Sequence, residues 1–201
     1  VDIRYDWGSY GSYEPYAYIK QNSTLYANYH FTSENAETGE TNKTNFYAYL
    51  YLNADSEKEI YLISKSTIYA PINCTRMFKD LTTVKTITLS NFDTSNVTTM
   101  MEMFNGCSSL TSVDLSNLNA KNVTTMHAMF NACSNLTDLN LTGFKTEAVT
   151  NLSYMFYGCK NLTVLDLTGF NTANVKGVAF SSSNYATLQT GMHLMFTYCE
   201  N

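Results

Sequence analysis

The dipeptide Met-Phe recurs at Met77-Phe78, Met103-Phe104, Met129-Phe130, Met155-Phe156 and Met195-Phe196. The first four copies are spaced by 26 residues, and the fifth follows after 40, one repeat plus a 14-residue insertion. Other columns keep the same register. Three residues after each Phe come Leu81, Cys107, Cys133, Cys159 and Cys199. Then follow Val84, Leu110, Leu136 and Leu162; Ile87, Val113, Leu139 and Leu165; and Leu89, Leu115, Leu141 and Leu167. Further on stand Phe92, Leu118, Phe144 and Phe170, and then Val97, Val123, Val149 and Val175. A period this long means one supersecondary unit per repeat, stacked so that neighbouring units share a core that no single unit can bury alone.

Each unit reads in two halves. Leu110-Thr-Ser-Val113-Asp-Leu115 has the LxxLxL spacing of a strand, with Val113 and Leu115 on one face. Val123, Met126, Met129, Phe130 and Cys133 fall at i, i+3, i+6, i+7 and i+10, which predicts a short helix. Thr94 or Asn96 is placed to cap that helix, and Gly106 and Gly158 stand where it should stop. The expected fold class is an α/β repeat over 71–201. It is a short right-handed solenoid, with a parallel strand ladder on one side and short helices on the other. An insertion near 178–191 and a truncated last repeat complete it.

Residues 1–70 lie outside the repeat and hold Trp7 and twelve of the sixteen tyrosines. Alternation in Phe46–Leu52 and β-type residues in Tyr16–Ile19, Leu25–Thr32 and Ile60–Ile63 predict a small antiparallel β module. The polar stretch Ser33–Asn45 reads as a loop, and Ile60–Ile63 is placed to be the first ladder strand. The module suits an N-terminal cap for the stack. Tyr47, Tyr49 and Tyr51 are alternatively a glycan- or protein-binding platform, because Tyr supplies rigid contact area.

Charge narrows the functional classes. The formal net charge is −5 with no Lys/Arg cluster, so nucleic-acid binding has little electrostatic support. No apolar run is long enough to span a bilayer, and no membrane insertion is expected. Neither GxGxxG, P-loop nor GxSxG spacing occurs, and the reading is of a non-enzyme without cofactor. Cys107, Cys133 and Cys159 read as buried apolar fillers: side chains in a straight row suit neither a disulfide nor a zinc site. His127 and His193 share a column with Met101 and Ser153 and read as surface residues. The outward strand positions form the candidate binding face: Ser112, Asp114, Ser116, Asp138, Asn140, Thr142, Asp166 and Thr168. That face is equally a soluble sheet surface with Thr/Ser cross-strand bonds. A Ca²⁺ site on Asp114, Asn140 and Asp166 would need side chains that converge, and a straight ladder aligns them poorly.

The segments 92–118 and 139–175 resemble the 26-residue repeat of BspA-like and Listeria- or Mycoplasma-type leucine-rich-repeat surface proteins. The resemblance covers about residues 70–201. The chain departs from ordinary leucine-rich repeats in carrying Phe92, Leu118, Phe144 and Phe170 where Asn or Cys is usual. The resemblance implies display on a bacterial cell surface or secretion. It also implies adhesion, with a host or neighbouring-cell protein as partner. A structural stalk and carbohydrate binding through the Tyr-rich module are the alternatives.

Overall fold

The computed structural model describes residues 16–20, 24–34, 41–52, 58–63, 67–89, 91–141, 144–177 and 190–199. Four strands come first: β1 (Tyr16–Lys20), β2 (Thr24–Glu34), β3 (Thr41–Leu52) and β4 (Lys58–Ile63). They pair antiparallel in chain order. The stretch expected as a loop is shorter than its composition suggests. Thr41–Asn45 pairs with His30–Glu34, because Thr-rich polar residues sit well on a pleated ladder.

β5 (Ile68–Tyr69) leads into the repeats, which supply β6 (Val84–Leu89), β7 (Phe92–Asp93), β8 (Ser112–Asp114), β9 (Asp138–Asn140) and β10 (Val164–Leu165). One sheet runs β1-β2-β3-β4-β6-β8-β9-β10. It is antiparallel up to β4 and parallel from the β4–β6 pair onward. Ile60 faces Ile87, so the strand expected to start the parallel ladder does so. Thr86, Ser112, Asp138 and Val164 follow one another across β6, β8, β9 and β10, each 26 residues after the last. Each repeat is therefore one rung.

The expected helices are a correction. Among the described residues the segments 100–106, 126–132 and 152–158 are series of turns. In a helix every N–H bonds the carbonyl four residues back. Here alternate amides go two ways. Met103 N–H donates to Met100 O (3.2 Å) and Asn105 N–H to Glu102 O (3.1 Å), closing local turns. The amides between them leave the rung: Met100, Glu102, Phe104 and Gly106 donate to Thr125, His127, Met129 and Asn131 of the next one at 2.8–3.0 Å. The same four bonds recur at each of the other three interfaces, ending with Leu152, Tyr154, Phe156 and Gly158 donating to Gly191, His193, Met195 and Thr197.

Spacing explains why turns replace helices. Paired strands lie about 4.8 Å apart, whereas packed helices need about 8–10 Å. A turn ladder matches the strand ladder on the other side. The phenylalanine column shows the match: Phe78, Phe104, Phe130, Phe156 and Phe196 stack with centroids 5.3, 5.3, 5.9 and 5.6 Å apart. Around that column Met77, Met103, Met129, Met155 and Met195 of the Met-Phe pairs, with Leu110, Leu136, Val113, Leu139, Leu115 and Leu141, are buried in one core.

The turn ladder needs left-handed backbone at two positions per rung. One column is Arg76, Glu102, Ala128, Tyr154 and Leu194; the other is Asp80, Gly106, Ala132, Gly158 and Tyr198. In the first four rungs every one of these residues donates its N–H to the next rung. The positive φ turns the amide along the stack, and the bond offsets a conformational cost of about 1–2 kcal/mol for a non-glycine residue. Gly106 and Gly158, read from sequence as helix stops, are members of this column.

The two glycines are not equivalent. A Cβ on Gly106 would overlap the Asp80 carboxylate, while one on Gly158 would meet only the Ala132 backbone at 3.7 Å. Gly158→Ala is expected to cost about 1 kcal/mol, the left-handed penalty alone. Gly106→Ala should cost about the same, because the exposed Asp80 carboxylate can swing aside and its backbone stays at 3.5 Å. Urea melts of the two variants check this. A loss for Gly106→Ala several times that for Gly158→Ala would contradict it.

Candidate functional site

The polar face predicted from sequence forms in register. Ser112 pairs with Asp138, and Asp114 with Asn140, and all four are exposed on the strand side. Ser116, Asp166 and Thr168 are exposed as well. Thr142 lies outside the described residues. Tyr47, Tyr49 and Tyr51 are in β3, facing Ile63, Tyr61 and Glu59 across the ladder. Their side chains, and with them the platform reading, lie outside the described residues.

Much of the polar repetition closes corners. Asp114 Oδ1 accepts Ser116 N–H at 2.9 Å, and Asp166 Oδ1 accepts Thr168 N–H at 2.9 Å. Bonds from Ser116 and its backbone hold the Asp114 carboxyl below its ordinary range; bonds from the Thr168 backbone and hydroxyl do so for Asp166. A second corner uses Asp93, Asn119 and Asn171 on Ser95, Lys121 and Ala173 N–H. A third uses Asn73 and Asn151 on Thr75 and Ser153 N–H. These are Asx turns, in which a short side chain imitates a backbone turn. Asp114 and Asp166 therefore serve the rung, and their carboxylates bend back toward it. Among the described residues no three His, Cys, Asp or Glu side chains gather where a metal ion would sit. No helix among them is long and apolar enough to cross a membrane.

Threonine adds a further cross-rung bond. Thr94, expected as a helix cap, is buried. It donates to Asn119 O (3.0 Å) and accepts from Asn119 N–H (2.7 Å) in the next rung, and Thr146 does the same with Asn171. The exposed columns Thr124/Thr150 and Thr137/Thr163 donate to the rung before.

The cysteines do more than fill space. Cys107, Cys133, Cys159 and Cys199 each donate S–H to the phenylalanine carbonyl of the preceding rung, at 2.9, 3.2, 3.2 and 3.1 Å. The acceptors are Phe78, Phe104, Phe130 and Phe156. Leu81 takes this column in the first rung, which has no earlier Met-Phe carbonyl to reach. Burial pushes the thiols of Cys107 and Cys159 up to about 12 and raises Cys74 and Cys133 as well. Thiolate is the reactive form. Folded protein treated with iodoacetamide at neutral pH should therefore label at half-buried Cys199 first, and Cys74, Cys107, Cys133 and Cys159 only after unfolding. Peptide mass mapping reads the order. Early labelling of Cys133 would contradict the packing.

The turn side carries a cluster that the reading of the strand face did not reach. His127 lies edge-on to Tyr154 (5.7 Å), which lies edge-on to His193 (5.6 Å). Tyr154 also meets Tyr157 (5.4 Å), and Tyr157 meets Tyr198 (5.1 Å). These side chains are half-buried or exposed. His127 is no free surface histidine: Nδ1 shares a 2.7 Å hydrogen bond with buried Ser153 Oγ, which donates to Asn151 Oδ1 at 2.6 Å. Burial pulls the His127 pKa down, against the pull of Glu102. At the other end of the same face Glu102 binds Arg76 through two bonds of 3.0 and 3.1 Å and also Lys79. The signal for the aromatic cluster was available: Tyr154, Tyr157 and Tyr198 are three of the four tyrosines beyond residue 70.

Residues 72–200 match the model of a family described as a Mycoplasma protein of unknown function, DUF285. The chain belongs to this family. The match begins beside Asn73, the first corner of the turn ladder, and covers every Met-Phe rung. No curated protein and no solved structure matches the chain.

Proposed function

We propose that this DUF285 chain is a non-catalytic bacterial surface module of the BspA-like leucine-rich-repeat kind. In this reading the 26-residue rungs form a short solenoid, extracellular and displayed on the cell, that binds host or neighbouring-cell protein. The front-end sheet caps one end of the stack. Family membership supports the repeat part of the reading. The adhesive part is carried by one observation: five contiguous aromatic and imidazole rings on the turn side, from His127 to Tyr198.

Tyrosine dominates protein-binding hot spots, because a large amphipathic ring gives contact area at little entropic cost. The strand face is a poorer candidate, since Asp114 and Asp166 are turned back into their own corners. An open face also suits a macromolecule, to which each rung adds contact without a pocket.

Binding of the purified chain to immobilised host and bacterial surface extracts tests the reading. Saturable, protein-dependent binding is expected. Tyr154→Ala, Tyr157→Ala and Tyr198→Ala together should weaken it at least about tenfold, while Ser112→Ala with Asp138→Ala should change it by less than about threefold. A spacer shows no saturable binding, and that result would sink the adhesive reading. Binding competed by sugars and untouched by the three Tyr changes would move the site to the front-end tyrosines.

A further inference from the structure

The hydrogen bonds around His127 fix where its proton sits. Asn151 Oδ1 accepts Ser153 N–H at 3.0 Å, which identifies that atom of the amide as the oxygen. The same oxygen lies 2.6 Å from Ser153 Oγ, so the hydroxyl donates to it. A hydroxyl has one proton, and that bond uses it. His127 Nδ1, 2.7 Å from Ser153 Oγ, therefore carries a proton of its own and donates. The reverse arrangement would set two lone pairs against each other at a serine that is fully buried.

A neutral imidazole has one N–H, so Nε2 is left with a bare lone pair. Burial lowers the His127 pKa against the pull of Glu102, which keeps the ring neutral at neutral pH. Nε2 makes no hydrogen bond among the described residues, yet it is not shut away from solvent: the buried, unpartnered polar side-chain atom among them is Thr190 Oγ1. The ring is held on two sides, by Ser153 at Nδ1 and by Tyr154 edge-on at 5.7 Å. Earlier rungs carry Thr75 and Met101 in this column, so stacking does not require an imidazole there.

We propose that His127 Nε2 is the fixed hydrogen-bond acceptor of the ring cluster, which a partner protein meets with an N–H or O–H donor set in an apolar surface. The inference rests on the reading of that cluster as the binding face and adds what the partner must bring. Tyr154, Tyr157 and Tyr198 supply contact area but choose poorly among apolar surfaces. A half-buried acceptor of fixed tautomer does choose: a partner that presents a carbonyl or carboxylate at Nε2 meets it lone pair to lone pair and is rejected.

The tautomer is read without any partner. NMR of the imidazole nitrogens at mildly alkaline pH should find Nδ1 of His127 protonated and Nε2 unprotonated; the reverse assignment overturns the proposal. The use of Nε2 is read on the immobilised surface extract that the unsubstituted chain binds. His127→Asn keeps an amide N–H within reach of Ser153 and has nothing at the Nε2 position. His127→Gln carries an amide oxygen out to that position and gives up the Ser153 bond. An acceptor role predicts that the Asn variant binds about tenfold more weakly and the Gln variant less than about threefold more weakly. A purely structural role predicts the opposite order. That order, or undiminished binding by the Asn variant, overturns the acceptor role and leaves the binding face standing. Absence of saturable binding by the unsubstituted chain overturns both.

Discussion

The hydrogen bond from every second turn amide to the carbonyl one rung further on is the constraint that the rest of the repeat obeys. It fixes the rise between rungs near the strand spacing, and the stacked phenylalanines follow that rise. Left-handed backbone stands at two of the four donor positions in each rung, as at Glu102 and Gly106, alternating with donors such as Met100 and Phe104 that do not adopt it. The same bond also sets the chemistry of the cysteine column. A carbonyl that closes a local turn still has a free lone pair, and the small thiol of the following rung reaches it without bringing a charge into the core. Cys107, Cys133 and Cys159 are fully buried in this column, and Leu81 fills it in the first rung.

The columns were legible because burial depends on register, and register follows from a fixed period. Met, Phe, Cys, Leu and Val recurred at one interval, and each column is one continuous stripe of the core. The parallel pairing of Ser112 with Asp138 and of Val113 with Leu139 follows from the same arithmetic. The local conformation of the second half was not legible from periodicity. Val123, Met126, Met129, Phe130 and Cys133 satisfy a helical stripe, yet inward residues in consecutive turns fall at nearly the same intervals. What separates the two is where the amides go, and an apolar pattern carries no record of that. Two hints were present in the text. Gly106 and Gly158 share a column with Asp80 and Ala132, which is odd for a helix stop, and a row of helices keeps pace with strands at half their spacing only by curving the stack.

The candidate site followed the same division. Of the outward strand residues, Ser112 pairs with Asp138 and Asp114 with Asn140; the sequence left them open between a binding face and a plain sheet surface, while Asp114 and Asp166 are spent on closing corners. Short polar side chains that recur once per rung are as readily a requirement of the turn as of a ligand. The aromatic cluster around Tyr154 breaks the repeat instead: its columns hold Glu102 and Ala128, Asn105 and Asn131, Gly106 and Ala132 elsewhere. A departure from the rung text is a better pointer to function than the text itself, because stacking does not require it. Tyr154 and Tyr198 also stand at left-handed positions, where a bulky side chain is the costlier choice.

The account is tested most directly by NMR scalar coupling across the hydrogen bond, from the amide nitrogen of Phe104 to the carbonyl carbon that accepts it. A coupling to Met129, 25 residues further along the chain, is the predicted result, with the matching coupling from Phe130 to Met155. A coupling from Phe104 back to Met100, the partner a helix would provide, would contradict the turn ladder and the stacking built on it.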